Sequence, residues 1–340
     1  MTRRLLLLLL VTALDANCTA WGDAVELRRE DKQIEVLIDG RPFTTYFFDP
    51  AVAKPFLSPL RSAEGTILTR RFPMQPDIPG EDHDEPHQRA MYFAHGDING
   101  LDFWGEAAFP KWSPHAASKF GRTVFREVNA MSSGPQSGML RVTFDLQAPD
   151  GTPIAEETQS YVFRGDEHTR MVDCEFIIRA NHGPVKLGDT KEGTLAIRVV
   201  KSLDSPPAHM VNSRGASGEK EIWGRQAEWV DYYGNVGGEE VGIAIFDHPE
   251  NLRHPTYWHA RGYGLFAANP FGVRNFTHDR HKDGSFTVPS GASVTLRYRV
   301  LIHHGDYRQA GVSQAYRQYA SQSEEQTPCR TKQTQTAGSF

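Results

Sequence analysis

The chain predicts an all-β protein, a large antiparallel β-sandwich closed by one C-terminal helix. Three observations carry that prediction. Apolar and polar residues alternate with period two in most of the ordered-looking segments, which is the period of a half-buried strand. These segments are bounded by Gly, Pro, Asn or Asp, the residues of turns. Only DYRQAGVSQAYRQYAS, from Asp306 to Ser321, has a helical period.

Taken in order, QIEVLIDGRPFTTYFF reads as two short strands around Asp39-Gly40, a strong hairpin signal. GMLRVTFDLQAPDGTPIAEETQSYVFRG repeats the arrangement with longer strands around Pro149-Asp150-Gly151. HTRMVDCEFIIRA, TLAIRVV, EVGIAIFD, YGLFAAN and ASVTLRYRVLIHH continue the series. Many antiparallel strands followed by one helix imply two packed sheets. With no internal repeat and no low-complexity linker between Val25 and Tyr319, one domain over residues 25–320 is the simplest organisation.

The ends read differently. Arg3 and Arg4 precede an apolar run from Leu5 to Leu14, and Ala20 offers a small residue for cleavage, the order of a secretory signal over residues 1–20. The run is shorter than the ~20 residues that span a bilayer. Export to the periplasm or the exterior is therefore expected. Cys18 as a lipid anchor fits less well, because Asp15 and Asn17 stand where small or apolar residues belong. Residues 321–340 are polar and nearly free of aliphatic side chains, so a disordered tail is expected. Cys174 lies in an apolar strand and Cys329 in that tail, settings that imply a core thiol and a tail thiol rather than a disulfide. A formal charge of -5 over 340 residues offers no basic field for nucleic acid and no polybasic membrane patch.

The chemistry concentrates between Glu81 and Glu106, EDHDEPHQRAMYFAHGDINGLDFWGE, where His83, His87 and His95 stand among seven acidic residues with Arg89, Asn99 and Trp104. Packing does not require that mixture, since such groups are costly to bury unless paired. Imidazoles titrate near neutrality and serve as proton donors, acceptors or metal ligands. Four further clusters fall at predicted strand ends, where sites collect. GDTKEG carries Lys191 and Glu192; SGEKEIWGRQAEWVDYYG carries Trp223, Arg225, Trp229 and Asp231; FDHPENLRHPTYWHARGYG carries His248, Asn251, Trp258, His259 and Arg261; ANPFG carries Asn269.

PFLSPLRSAEGTILTRRFP, DHDEPHQRAMYFAHGDINGLDFWGE, GDTKEGTLAIRV, WGRQAEWVDYYG and FDHPENLRHPTYWHARGYGLFAANPFG, taken as an ordered series, resemble the soluble secreted bacterial family catalogued as PmoA-like. The resemblance covers most of Ile34 to His304. It implies a β-supersandwich akin to that of aldose mutarotases and a place in carbohydrate catabolism. It implies no catalytic assignment. The methane-oxygenase label of that family does not describe this chain, which contains no run of ~20 apolar residues after its leader.

Ordinary structural roles compete with each functional one. His95-Gly96-Asp97 has the residues of a strand terminus, and Lys191-Glu192 those of a solvated turn pair. At least one of Trp104, Trp223 and Trp258 is expected in the core. Of His303 and His304, on opposite faces of one strand, at most one points inward, and both are read as structural. His209, His254, His278 and His281 are expected mostly at the surface. His83 and His87 have a spacing that metal ligands use on a helix, but Pro86 between them disfavours helix. A metal held in loop geometry by His83 and His87 with His95 or Asp84 stays open, and no other cofactor is expected.

The resulting expectation is a secreted carbohydrate-active protein performing epimerase-like or lyase/hydratase-like proton transfer on a sugar or sugar-derived carbonyl compound. His87 and His259 are the expected acid and base, Glu192 their carboxylate partner, with His83 and His248 in reserve. Arg89, Asn99, Trp104, Trp258, Arg261 and Asn269 supply the aromatic faces and planar polar groups that bind sugars. A nucleophilic enzyme is disfavoured, because no G-x-S-x-G elbow occurs. A non-catalytic glycan-binding module and a soluble His-ligated metal enzyme remain the alternatives.

Overall fold

The computed structural model describes residues 24–109 and 117–321. The expected signal segment with Cys18, and the expected tail with Cys329, lie outside the described residues.

The chain opens with β1 (Val25–Arg29), β2 (Gln33–Ile38), β3 (Arg41–Phe47), β4 (Phe56–Ser58) and β5 (Met91–His95). Four long strands follow: β6 (Arg122–Ser132), β7 (Gly138–Gln147), β8 (Pro153–Gly165) and β9 (Arg170–Arg179). Then come β10 (Val185–Leu187), β11 (Gly193–Arg198), β12 (His209–Asn212), β13 (Trp229–Val236) and β14 (Glu239–Asp247). The series ends with β15 (Tyr257–Ala260), β16 (Leu265–Asn269), β17 (Phe286–Val288) and β18 (Ser293–His304). Two short helices, α1 (Glu219–Ile222) and α2 (Val273–Thr277), interrupt it, and α3 (Val312–Ala320) follows it.

Sixteen of these strands build two eight-stranded antiparallel sheets, as the alternation predicts, and β10 and β17 pair with each other as a separate antiparallel ribbon. The first runs β1-β2-β3-β4-β5-β11-β16-β15 and the second β12-β13-β14-β18-β9-β8-β7-β6. The β2-β3 turn is the expected one: Asp39 and Gly40 both take left-handed φ, 52° and 72°, which a two-residue hairpin of this kind requires. Along β9 buried and half-buried residues alternate almost without fault. The inner faces of both sheets share one apolar core, and Phe93 of β5 stacks on Phe176 of β9 across it, centroids 4.0 Å apart. Cys174 is buried there as a free thiol.

The two outer faces are covered differently. On the second sheet α3 lays Val312 and Tyr319 over Trp229, Phe246 and Leu301. Of the neighbouring histidines on β18, His303 is buried against Asp231 at 3.2 Å and His304 is exposed, as opposite facing requires. On the first sheet loops do the covering. Those loops carry the site.

Candidate functional site

Register sets the floor of the site. Directly opposed residues in an antiparallel sheet share a face, and Tyr92, Ala196, Ala267 and His259 are opposed in turn across β5, β11, β16 and β15. Tyr92, Ala196 and Ala267 belong to the outer-face cluster with Trp104, and Tyr263 packs against it. His259 is therefore carried outward. Its neighbour Trp258, opposed to Ala268, points into the core.

His87 arrives from the loop before β5. Two buried guanidinium groups hold that loop. Arg70 donates to the Asp84 carboxylate at 2.7 Å and to the carbonyls of Glu85 at 2.7 Å and Gln88 at 3.2 Å. Arg198 donates to the Gln88 side chain at 2.7 Å and to Asp84 at 2.9 Å, and its guanidinium lies 4.4 Å from the Tyr263 ring centroid. Burial and the proximity of Arg198 push Arg70 down to about 10. Glu85 and Ala90 adopt left-handed φ of 40° and 39°, costly for residues with a Cβ, and the Arg70 bonds help offset that strain.

Glu192 comes from the loop between β10 and β11. Its carbonyl accepts from the Gly96 N–H at 2.7 Å, an approach only glycine permits: a Cβ on residue 96 would stand 2.8 Å from that of Glu192. The same loop is pinned by Asn269, which donates to the Thr190 carbonyl at 2.9 Å, and by His95, whose Nε2 lies 2.9 Å from the Gly188 carbonyl oxygen. Lys191 pairs with the Glu192 carboxylate at 2.9 Å.

These loops enclose a cavity of about 370 Å³ whose walls include Glu85, His87, Trp104, Glu192, His259 and Tyr263. Its volume lies within the ~300–1,000 Å³ of small-molecule sites. His259 Nδ1 lies 3.1 Å from the Lys191 carbonyl oxygen and 3.8 Å from Glu192. A carbonyl only accepts, so Nδ1 carries the proton and Nε2 of the neutral ring keeps its lone pair. Burial brings His259 down to about 4, against the opposing pull of Glu192. Burial, aided by the charge of Lys54, brings His87 down to about 3. Both rings are neutral at physiological pH. Burial opposes ionisation of Glu192, but His259, Lys191 and His87 together bring its carboxyl below the ordinary value; with the rings neutral, Lys191 is the cation that acts near pH 7. Burial and the neighbouring Asp84 and Glu192 carboxylates push Glu85 up. The buried Trp104 Nε1 and Tyr92 hydroxyl have no hydrogen-bond partner among the described residues. The cavity thus offers neutral bases, a carboxylate, a carboxyl of raised pKa and an aromatic wall with an unused donor.

A family model described as "Family of unknown function (DUF6807)" matches residues 33–317. The chain belongs to this family. No curated protein matches it. Among solved structures it is similar to a galactose mutarotase-like protein from Clostridium acetobutylicum, at 9% identity and TM-score 0.42, covering 83% of this chain and 99% of that one. It is similar also to a galactose mutarotase-like protein from Lactobacillus casei, at 8% identity and TM-score 0.37, covering 82% and 100%. An alpha-galactosidase from Lactobacillus brevis matches at 7% identity and TM-score 0.38, over 84% of this chain and 40% of that chain. Likenesses of that size carry no statement about substrate.

Of the residues singled out from the sequence of this DUF6807 member, His87, Glu192, His259 and Trp104 meet at the cavity. Lys191 lines it beside Glu192, and the expected sugar-binding residues other than Trp104 lie elsewhere. Arg89 is buried in a two-pronged pair with Glu106, at 3.0 and 2.8 Å, and does not line the cavity. Asn99 is a turn residue whose side chain caps Lys186 N and Pro184 O. Trp258 is a core residue donating to the Ala227 carbonyl. Asn269 positions a loop, and Arg261 lines a separate neighbouring cavity.

The possible metal ligands are not gathered either. His83 is exposed and stacks on Phe72 at 4.5 Å, while His95 is buried edge-on against Phe271. Among the described residues no group of three or more His, Cys, Asp or Glu side chains is placed to hold a metal ion. No helix among them is long and apolar enough to cross a membrane. His248, held in reserve from the sequence, packs edge-on against Tyr319 under α3. Glu85 and Tyr263 went unrecognised as wall residues, although each stands within four positions of a chosen histidine.

Proposed function

We propose that this protein is a secreted carbohydrate-active enzyme that moves a proton on a sugar or sugar-derived carbonyl compound, in an epimerase-like or lyase/hydratase-like reaction. The observation that carries this reading is the meeting of His87, Glu192 and His259, from three distant stretches of chain, in one cavity with an aromatic wall. The resemblance of its ordered motifs to PmoA-like proteins supports the carbohydrate class, and its leader-like start supports export.

The chemistry follows from the protonation states. A neutral His259 accepts a proton from carbon next to a carbonyl through its free Nε2, and Glu192 stabilises the imidazolium that forms. The His259 imidazolium then gives that proton up, to carbon in an epimerisation or to a departing oxygen in an elimination, while the neutral His87 ring and Glu85 face the substrate as hydrogen-bonding partners. Trp104 and Tyr263 present apolar faces to the C–H side of a sugar ring, and Trp104 Nε1 gains the partner it lacks among the described residues.

The test is sugar turnover followed by NMR in heavy water, with polarimetry for mutarotation, which exchanges no carbon-bound hydrogen. Deuterium incorporation lost in His259→Ala and His87→Ala supports the reading. Tight sugar binding with no turnover in either assay, unchanged by both substitutions, assigns the protein instead to glycan binding.

A further inference from the structure

A second cavity of about 960 Å³ adjoins the first and takes no part in the proton transfer. Wall residues of one contact wall residues of the other. Trp223 of the second cavity meets His259 of the first edge-on, ring centroids 6.5 Å apart, and the guanidinium of Arg261 in the second lies 5.6 Å from the Tyr263 ring centroid. Adjacent cavities are the arrangement that a molecule of two linked rings needs.

Its chemistry differs from that of the first cavity. Three cations, Lys220, Arg225 and Arg261, line it against one carboxylate, Glu219. Glu219 is already committed: it pairs with Arg261 at 3.1 Å and accepts the Gly262 N–H at 2.6 Å. Lys220 and Arg225 are exposed and are left with no carboxylate of their own in the cavity. Beside them stands an aromatic group. Trp223 packs edge-on to Phe276 at 5.5 Å and obliquely to His278 at 5.4 Å, while Phe276 stacks on Tyr257 at 5.7 Å. Trp223 Nε1 is buried without a hydrogen-bond partner among the described residues. Uncompensated cations beside an aromatic platform with an unused donor match a ring that has both a C–H face and a carboxylate, since the guanidinium fork pairs with carboxylate in two-pronged fashion.

We infer that the second cavity is a subsite for a uronate unit, so that the substrate of the His259 cavity is an acidic oligosaccharide whose reacting unit is linked to a carboxylate-bearing neighbour. This deepens the proposed function and rests on it. The excess of cations also predicts that binding weakens with salt, while the contribution of the first cavity does not.

Calorimetric titration with a panel of uronate-containing disaccharides, their carboxyl-reduced counterparts and neutral monosaccharides tests it. The wild-type protein is expected to bind at least one uronate disaccharide about 10-fold or more tightly than its reduced counterpart, the size of one charge-assisted contact. Arg225→Ala, at an exposed position, is expected to remove that preference and its salt dependence while leaving affinity for the reduced disaccharide in place. Trp223→Phe, which keeps the platform and deletes the donor, is expected to weaken both disaccharides alike. Equal binding of charged and reduced disaccharides, or a preference untouched by Arg225→Ala, overturns the subsite while monosaccharide binding keeps the His259 site standing. Failure of every saccharide to bind overturns both.

Discussion

Two groups of buried ionisable side chains draw on the same stretch of chain and are built on opposite terms. In the first, Lys54 and Arg89 converge on Glu106, with Lys54 Nζ at 3.1 Å and the Arg89 fork at 3.0 and 2.8 Å; Lys54 also donates to the Trp104 carbonyl at 2.7 Å. Burial alone would raise the Glu106 carboxyl, but Lys54 and Arg89 hold it down to about 2. Each charged group there touches one of opposite sign. In the second, His87 lies 3.4 Å from Glu85 and His259 lies 3.8 Å from Glu192, too far for strong bonds, and both rings face a cavity. Compensated charge fastens the chain, whereas under-compensated titratable groups beside an opening are free to exchange protons with a ligand.

Breaking the first group gives the largest expected effect. Glu106→Ala leaves two buried cations without their carboxylate and is expected to cost about 3–5 kcal/mol of stability, read from the urea midpoint. A loss under about 1 kcal/mol would mean that water reaches Lys54 and Arg89, and the contrast drawn above would collapse. Breaking the second group acts on rate. His259→Ala is expected to lower turnover by ~10²- to 10⁴-fold while cooperative unfolding persists.

The pH dependence separates the groups. The folded pKa values of His259 and His95, about 4, and of His87, about 3, lie below the unfolded value, so the unfolded chain binds more protons as the solution is acidified. Their stabilising effect is complete above pH ~6.5 and is lost as the pH falls from there toward 4 and 3. Glu106, depressed to about 2, keeps its full contribution above its ordinary value of 4.5 and loses it between there and 2. Thermal melts should therefore fall in two stages, and His95→Gln should reduce only the upper one. A kcat/KM profile that stays level down to about pH 5 and drops near 4 would place His259 as the base; a drop near 6.5 would show a solvated imidazole instead. The smallest effect is expected of Trp104→Phe, which keeps the ring and removes the donor: KM rises ~3- to 10-fold with kcat little changed, as loss of one neutral hydrogen bond predicts.

Legibility in the sequence followed burial. β9, β7 and β18 were plain because one face of each is in the core and the other is not. β6 left little trace in the alternation: it is an edge strand, and most of its residues are exposed or half-buried. β5 was obscure for the reverse reason, since all five of its residues are buried and nothing alternates. The helices α1 and α2, at four and five residues, are shorter than any period can reveal. Arg70 and Arg198 carried no local sign of their task, because the loop they hold is brought to them by folding.

The sequence by itself determined the antiparallel sandwich, its two main hairpins, its terminal helix and the segments in which the site's chemistry is stored, because those depend on spacing along the chain. Which members of each segment act was decided by tertiary structure. Trp258 and His259 are adjacent, yet the register of β15 on β16 sends one to the core and the other to the cavity. Arg89 and His87 are two residues apart, yet one is captured by Glu106 and the other faces Glu192 across the opening. A side chain's role depends on what lies across from it, and that is set by pairing between strands and loops remote in sequence.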